Sequence, residues 1–186
     1  MQPNKHELRR ELLAARRALS VADRENAAED LVTTAAADPL ISAARSVALY
    51  AAIPPEPDTA PLIAWFTGRG VRVLLPVLHD DNDLGWGEPG ARLVAGRFGL
   101  SEPAADLGTG AIRDADLVLC PALAVDRSGV RLGRGGGSYD RALARVPVST
   151  PVVAVLYDAE LVDALPADPH DRHVTHVLTP ARLIAL

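Results

Sequence analysis

The stretch "ADLVLCPALAV", residues 115–125, is apolar at almost every position. Continuous apolar runs of this kind are typical of strands that a sheet buries on both faces. The run therefore predicts one long strand, or two short ones, in the centre of a sheet. Its cysteine, Cys120, is the only one in the chain, so it cannot form an intramolecular disulfide. We interpret it as a buried structural thiol rather than a nucleophile.

Strand and helix patterns alternate on both sides of this central run. Apolar, β-prone segments predict strands at 46–52, 71–76, 150–158 and 173–180. Helices are predicted at 60–70, 139–146 and 159–165, and a loop or hairpin at 79–90. Such alternation implies an α/β fold with a mainly parallel central sheet flanked by helices. We expect a single three-layer domain that spans residues 1–186.

Two helices are predicted before the first strand. Leucines recur at helical spacing from Lys5 to about Leu19, with arginines and glutamates between them. The segment "SVAD", residues 20–23, has the pattern of a capping box and opens an Ala-rich helix that reaches about Ala37. The N-terminal part of the chain is therefore helical.

The overall charge and hydropathy exclude several classes of protein. A formal net charge of −5 argues against general nucleic-acid binding, which usually requires a clustered basic patch. The charged start lacks the apolar core of a secretory signal, and no segment approaches the ~18 apolar residues that a membrane span requires. We expect a cytoplasmic monomer without a membrane partner. Local arginines would have to capture any anionic ligand: Arg9, Arg10, Arg16, Arg17, Arg131, Arg134 and Arg141.

The segment "RLGRGGGSYD", residues 131–140, is the strongest candidate for a ligand loop. Ligands of open α/β sheets bind outside the carboxyl ends of the strands, where the loops after Tyr50, Val125 and Tyr157 should meet. Successive glycines can turn backbone N–H groups toward one anion, but the segment matches neither common phosphate-binding motif. Spacing alone leaves a phosphate cradle and a flexible turn both open. Asp140 could hold Mg²⁺ beside phosphates or merely cap the following helix.

The chain resembles the 5-formyltetrahydrofolate cyclo-ligase family, also called methenyltetrahydrofolate synthetases. The segment "DRSGVRLGRGGGSYDR", residues 126–141, is similar to the family's pattern D-x-G-x-R-L-G-x-G-x-G-Y-Y-D-R. Four further segments resemble the family in the same order: "KHELR" (5–9), "YAAIPPEPDT" (50–59), "RFGLSEP" (97–103) and "PADPHD" (166–171). The likeness therefore extends along nearly the whole chain.

The resemblance implies an enzyme that cyclises 5-formyltetrahydrofolate to 5,10-methenyltetrahydrofolate, with ATP and Mg²⁺ as cofactors and with ADP and phosphate as products. ATP would phosphorylate the formyl oxygen, N10 would attack the activated carbon, and phosphate would leave. The alternative from another class is a homologue that binds a folate or a nucleotide without turnover.

The resemblance also implies a set of site residues. Lys5 and Arg9 match the family's ATP-contacting pair, and Lys5 and Arg134 are the candidates for stabilising charge during catalysis. The nucleotide loop corresponds to Arg131, Leu132, Gly133, Arg134, Gly135, Gly136, Gly137, Ser138 and Tyr139. The folate would contact Ala51, Glu56, Arg134, Gly135, Gly136, Gly137 and Ser138. Asp140 and Asp171 match the magnesium ligands.

Three features depart from this pattern or suggest other roles. Ser138 stands where the family more often has the first of two tyrosines, so aromatic stacking on the substrate is not expected there. The spacing of His170, His173 and His176 raises a zinc site, which we consider less favoured because strand neighbours alternate in direction. Trp65 and Phe66 are assigned to the core; Trp86 and Phe98, expected in loops, could be core residues or shape the folate pocket.

Overall fold

Helices and short strands alternate along the described residues, which are 4–90, 92–168 and 171–186 of this computed structural model. The helices are α1 (Lys5–Ala18), α2 (Val21–Ala37), α3 (Pro39–Ser42), α4 (Ala60–Gly68) and α5 (Ser138–Leu143). The strands are β1 (Ser46–Ala48), β2 (Arg72–Leu78), β3 (Leu84–Gly87), β4 (Val94–Ala95), β5 (Ser101–Glu102), β6 (Leu117–Pro121), β7 (Ala124–Asp126), β8 (Arg131–Leu132), β9 (Val152–Val155), β10 (Leu161–Val162), β11 (His176–Leu178) and β12 (Leu183–Ala185).

The central sheet has seven strands in the order β12-β11-β9-β6-β1-β2-β3. The five inner strands pair in parallel, and β3 and β12 add antiparallel edges. The predicted α/β class with a mainly parallel central sheet flanked by helices is confirmed. Within the described residues, no helix combines the length and the apolar character needed to cross a membrane.

Side chains of the central strand alternate between two apolar cores. Leu117 and Leu119 pack on the face covered by α2, α3 and α4. Val118 and Cys120 pack on the opposite face, which α5 and a 3-10 helix at Thr109–Asp114 cover. Because a strand turns successive side chains to opposite faces, an uninterrupted apolar run fits a strand with helices on both sides.

The run 115–125 divides into two strands that belong to different sheets. Its first part is β6 in the central sheet, whereas its second part, β7, joins β8 and β10 in a three-stranded sheet. Leu8 and Leu12 of α1 pack against the small apolar core on this second sheet. The division matters for function, because the second sheet carries the glycine-rich segment that follows β8.

The helix predicted at 159–165 is wrong. The chain forms a 3-10 turn at Asp158–Glu160 and then β10, which pairs in parallel with β7. The carboxylate of Glu160 accepts a hydrogen bond from the Tyr157 amide at 2.8 Å and also binds Arg16. The pairing with β7 and the ion pair with Arg16 are long-range contacts that fix the turn, whereas the local apolar spacing resembles that of a helix.

Other predicted elements agree with the structure with shifted ends. The first strand is shorter than expected and ends at Ala48, and β12 follows the predicted last strand. The segment 79–90 contains a hairpin, since β2 and β3 pair antiparallel. Both predicted N-terminal helices form, with capping boxes at Asn4 and Ser20. The side chain of Ser20 accepts from the Asp23 amide at 3.0 Å, as the "SVAD" pattern predicts.

A buried ion pair joins α1 to the turn before β10. The guanidinium of Arg16 donates from Nε and Nη2 to the two carboxylate oxygens of Glu160, at 2.7 and 2.8 Å. The side chains are only 1% and 7% exposed. Removing one charge of such a pair leaves the other charge buried without compensation.

Replacing Glu160 by glutamine is therefore expected to lower the free energy of unfolding by about 3 kcal/mol. Urea denaturation followed by circular dichroism would measure the change. Asp163→Asn is a matched control, because the Arg127–Asp163 pair is exposed and should contribute little. Equal effects of the two substitutions would contradict a stabilising role for the buried pair.

Cys120 lies in β6 and is fully buried, as the sequence predicts. Burial disfavours the charged thiolate and raises the pKa of this thiol to about 11. We expect a disulfide reagent at neutral pH to modify Cys120 only at the rate of protein unfolding. Spectrophotometric labelling with and without urea would measure this, and rapid labelling of the native protein would contradict it.

Candidate active site

A cavity of about 510 Å³ lies at the carboxyl ends of β1, β2 and β6. Its wall includes Tyr50 and Ala51 after β1, Leu78 at the end of β2, and Ala122 after β6. This is the sheet edge where open α/β folds bind ligands. The loops after Tyr50 and Val125 both reach the cavity as predicted, the second through its glycine-rich part. The loop after Tyr157 begins at the same edge of the sheet, because β9 pairs in parallel with β6, but the turn Asp158–Glu160 does not line the cavity.

The structure brings the site residues named from the sequence onto this one wall. Helix α1 contributes Lys5 and Arg9, and the loop after β1 contributes Ala51 and Glu56. The segment Arg131–Asp140 lines the cavity throughout, and Asp171 lies on the wall beside it. The side chains meet although more than a hundred residues separate α1 from the glycine segment. Their roles remain predictions.

The glycine segment adopts a conformation that restricts its sequence. Gly135 and Gly137 have φ values of +103° and +71°, in the region where side chains with a Cβ are strained. A Cβ at Gly133 would come within 2.9 Å of Nη1 of Arg131. Arg9 holds the loop in place by donating from Nε to the Gly133 carbonyl at 2.8 Å. The loop therefore presents backbone and guanidinium groups to the cavity without intervening side-chain bulk.

Lys5 joins the start of α1 to the loop that precedes β11. Its Nζ lies 2.6 Å from Oδ2 of Asp168 and 2.7 Å from Oδ2 of Asp171. Partial burial lowers the pKa of Lys5, but the hydrogen bonds to the two aspartates outweigh it and raise the pKa overall. The ammonium group thus remains charged at neutral pH, on the cavity wall.

Asp140 is ion-paired with the first arginine of the glycine segment. Nη2 of Arg131 donates to Oδ1 of Asp140 at 2.8 Å, and the amide of Arg172 donates to the same oxygen at 3.3 Å. The described residues give Oδ2 of Asp140 no hydrogen bond. The guanidinium is 4% exposed and the carboxylate 23% exposed, so this pair is largely shielded from water.

The second arginine of the segment contacts the glutamate of the loop after β1. Nε of Arg134 lies 3.1 Å from Oε1 of Glu56, whose Oε2 accepts from the Ile53 amide at 3.0 Å. The carboxylate is 8% exposed. Burial raises the pKa of Glu56, and the Ile53 amide and Arg134 offset only part of that increase. Glu56 is therefore a desolvated acceptor on the cavity wall.

Several site residues are not identifiable as such from the sequence. Asp168 binds Lys5, and the buried residues Tyr50 and Arg16 line the cavity. Arg16 is one of several arginines named as possible anion ligands, yet it is buried against Glu160. Arg141, another of them, donates to the Asn82 carbonyl at 2.6 Å and is not on the cavity wall. Only the tertiary structure shows which of these arginines lie on the cavity wall.

The aromatic and histidine predictions have mixed outcomes. Trp86 lies in β3 rather than a loop, is fully buried, and packs edge-to-face on Tyr139. Phe66 is a core residue as predicted. Among the described residues, no group of three or more His, Cys, Asp or Glu side chains could hold a metal. His170 and the side chain of Phe98 lie outside the described parts.

A sequence model of the 5-formyltetrahydrofolate cyclo-ligase family matches residues 1–180. The chain belongs to the 5-formyltetrahydrofolate cyclo-ligase family. The resemblance inferred from the sequence motifs is thereby confirmed, and the chain is a member of an enzyme family.

Two curated relatives and one solved structure match this cyclo-ligase family member over more than nine-tenths of their own lengths. A 5-formyltetrahydrofolate cyclo-ligase of Mycolicibacterium smegmatis is 45% identical, with 98% of this chain and 97% of the relative covered. The Escherichia coli enzyme of the same name is 33% identical over 90% of this chain and 96% of its own. The solved structure of Aquifex aeolicus 5,10-methenyltetrahydrofolate synthetase has a TM-score of 0.85 and 30% identity, covering 98% of this chain and 92% of that one.

Proposed function

We propose that this cyclo-ligase family member converts 5-formyltetrahydrofolate to 5,10-methenyltetrahydrofolate with ATP, releasing ADP and phosphate. The observation that carries the proposal is the shared cavity wall. A basic glycine segment suited to phosphates and a desolvated carboxylate suited to a pterin both lie on this wall. The ion pair between Arg134 and Glu56 joins them. Two dissimilar substrates could thus bind side by side, as an ATP-dependent cyclisation requires.

The nucleotide side of the cavity has the chemistry that a triphosphate needs. Gly133 and Gly135 leave space for close approach to the backbone, and Arg131 has a buried Nε without a hydrogen-bond partner among the described residues. Lys5 and Arg9 add two cations from one face of α1. When bound, ATP supplies the phosphoryl group that makes the formyl oxygen a leaving group.

The folate side depends on Glu56. An ionised carboxylate can accept two N–H groups from the amino-pyrimidinone edge of a pterin, and burial strengthens such charge-assisted hydrogen bonds. Ala51 lies on the same wall and offers a small apolar surface to the ring. Holding the pterin there would orient the formyl group and N10 for ring closure, which is mainly a task of positioning.

Arg134 and Lys5 are the residues we assign to charge stabilisation. Phosphoryl transfer spreads negative charge over oxygens, and fixed cations in a partly desolvated site stabilise it. Arg134 lies between the glycines and the Glu56 carboxylate and is 42% exposed, so it can contact a phosphate without crossing the cavity. We assign no general base.

The donor chemistry on the wall fits Mg²⁺. Asp140 and Asp171 supply carboxylate oxygens, which this cation prefers, and Oδ2 of Asp140 has no hydrogen bond from the described residues. Asp140 accepts from the amide of the residue after Asp171, so the two carboxylates belong to neighbouring parts of the wall. Bound there, Mg²⁺ would neutralise phosphate charge.

A direct assay tests the proposed function. Purified protein with 5-formyltetrahydrofolate, Mg²⁺ and ATP should produce the near-ultraviolet absorbance of the methenyl product, and omission of ATP should abolish it. Ser138, in place of the family's usual tyrosine, is the feature that favours a binder without turnover. Folate binding without any absorbance gain would overturn the cyclisation and support that alternative.

A further inference from the structure

Buried polar atoms without partners concentrate around the cavity. In the described part of the chain, six buried side-chain nitrogen or oxygen atoms form no hydrogen bond. Four of them belong to residues on the cavity wall: Arg16, Tyr50, Arg131 and Tyr139. Because an unsatisfied buried polar group costs free energy, such a concentration indicates a partner that the described residues do not supply.

Arg16 is the most informative of the four. It is 1% exposed, and the ion pair with Glu160 and a 2.6 Å bond from Nη2 to the Ala122 carbonyl engage Nε and Nη2. A purely structural clamp between α1 and the neighbouring segments would need only these bonds. Nη1 makes none within the described residues, although it is a charged donor in the interior. Its missing partner must be an acceptor, because a guanidinium only donates.

Tyr50 supplies a second donor beside Arg16. The residue is 3% exposed, and its hydroxyl has no partner among the described residues. Burial, reinforced by the nearby Glu56 carboxylate, raises its pKa well above the ordinary value, so the hydroxyl stays protonated. Arg16 opposes that increase, which indicates that the guanidinium, the hydroxyl and the carboxylate lie in one electrostatic environment.

On the cavity wall, these groups combine hydrogen-bond donors with an acceptor. Glu56 accepts, whereas Arg16 and Tyr50 donate. Glu160 already balances the charge of Arg16, so the complementary ligand atom is a neutral acceptor rather than an anion. A ring edge with N–H groups next to a carbonyl oxygen fits this pattern. Under the proposed function, the 2-amino, N3–H and 4-oxo groups of the pterin form such an edge.

We infer that Arg16 and Tyr50 donate hydrogen bonds to the 4-oxo oxygen of the pterin while Glu56 accepts from the adjacent N–H groups, and that Arg16 thereby determines specificity. This inference rests on the proposed function and adds to it a means of selecting 4-oxo over 4-amino folates. A 4-amino group would direct N–H bonds at the Arg16 guanidinium, which can only donate, whereas the Tyr50 hydroxyl could accept one of them. Sites built around hydrogen bonds reject such analogues strongly.

Tyr50→Phe tests the inference with little structural risk, because the hydroxyl makes no hydrogen bond that the described fold would lose. Titration without ATP would measure dissociation constants for 5-formyltetrahydrofolate and for the same compound with a 4-amino group. The variant should bind the 4-oxo compound about tenfold more weakly, because it lacks one donor to the 4-oxo oxygen. The wild type and each variant all contain Glu56. Its contribution to the preference for the 4-oxo over the 4-amino compound therefore cancels when the proteins are compared.

Two further variants sharpen the test. Tyr157→Phe removes another buried hydroxyl without a described partner, on a residue outside the cavity wall, and should leave both dissociation constants unchanged. Arg16→Lys keeps a positive charge near Glu160 but removes Nη1, and should reduce the preference for the 4-oxo over the 4-amino compound. If the wild type turns over 5-formyltetrahydrofolate while Tyr50→Phe binds it with the wild-type dissociation constant and Arg16→Lys keeps the wild-type preference, the inference is overturned and the proposed function stands. If the wild type binds neither compound, the proposed function falls with it.

Discussion

Replacing Asp140 by asparagine is expected to reduce Mg²⁺-dependent turnover by at least about a thousandfold. The asparagine keeps an oxygen that can accept from Arg131 but removes the negative charge that the proposed metal site requires. The loss should appear in kcat, because the metal would stabilise charge that develops during phosphoryl transfer. Initial rates over a range of Mg²⁺ concentrations, followed by the methenyl absorbance, would measure it.

Asparagine is preferable to alanine at this position. The Arg131 guanidinium is 4% exposed, and deleting its partner entirely would leave a buried charge without a hydrogen bond. Asp83→Asn is the matched control, because Asp83 is similarly buried in an ion pair with Arg145 and lies outside the cavity wall. Circular dichroism should show both variants folded. Near-normal turnover of Asp140→Asn would show that this carboxylate does not hold the metal.

The sequence predicts most of the fold because its local signals agree with the tertiary structure. Capping boxes set the start of both N-terminal helices, and uninterrupted apolar runs mark the parallel strands of the sheet. The wrong prediction of a helix at 159–165 arises where the local signals disagree with the tertiary structure. Pairing with β7 and the Arg16–Glu160 ion pair override a helical spacing that is only two turns long.

The candidate site is only partly predictable, and for a different reason. Motif resemblance identifies Lys5, Glu56 and Asp140, because these types recur at fixed spacing in the family. Arg16 belongs to a run of basic residues on an amphipathic helix, where solvent exposure is the ordinary expectation. Its burial, and the absence of a described partner for Nη1, depend on Glu160, which is more than a hundred residues away. No local pattern carries that information.

Replacing Glu56 by glutamine is expected to raise the KM for 5-formyltetrahydrofolate by about a hundredfold. A glutamine side chain has one acceptor oxygen and an NH₂ group, so it cannot accept two N–H bonds from the pterin edge. The change also releases Arg134 from its ion pair at 3.1 Å. Nucleotide affinity should therefore be unchanged or higher, and parallel titrations with folate and with ADP would separate the two effects.

The stability of the Glu56→Gln variant provides an independent check. Folding raises the pKa of Glu56, chiefly through burial, so the native protein binds this proton more tightly than the unfolded chain does. The contribution of this proton to the free energy of unfolding is complete below the pKa of the unfolded chain. It is lost as the pH rises through the higher pKa of the native protein. At neutral pH the ionised carboxylate therefore gives no net stabilisation, and the glutamine variant should unfold at the same temperature as the wild type or a higher one.

A matched substitution at Glu88 distinguishes this result from a general effect of charge removal. Glu88 is also ion-paired with an arginine, at 2.8 Å from Nε of Arg72, but is 56% exposed and lies outside the cavity wall. Glu88→Gln should leave the folate KM unchanged. Of the two substitutions, only Glu56→Gln should lower folate affinity, and it should do so without loss of stability. That result would identify Glu56 as a binding group that the protein keeps desolvated although its desolvation costs folding free energy. A Glu56→Gln variant with a normal folate KM would show that the carboxylate does not bind the pterin. Its remaining role would then be the ion pair that holds Arg134 in place.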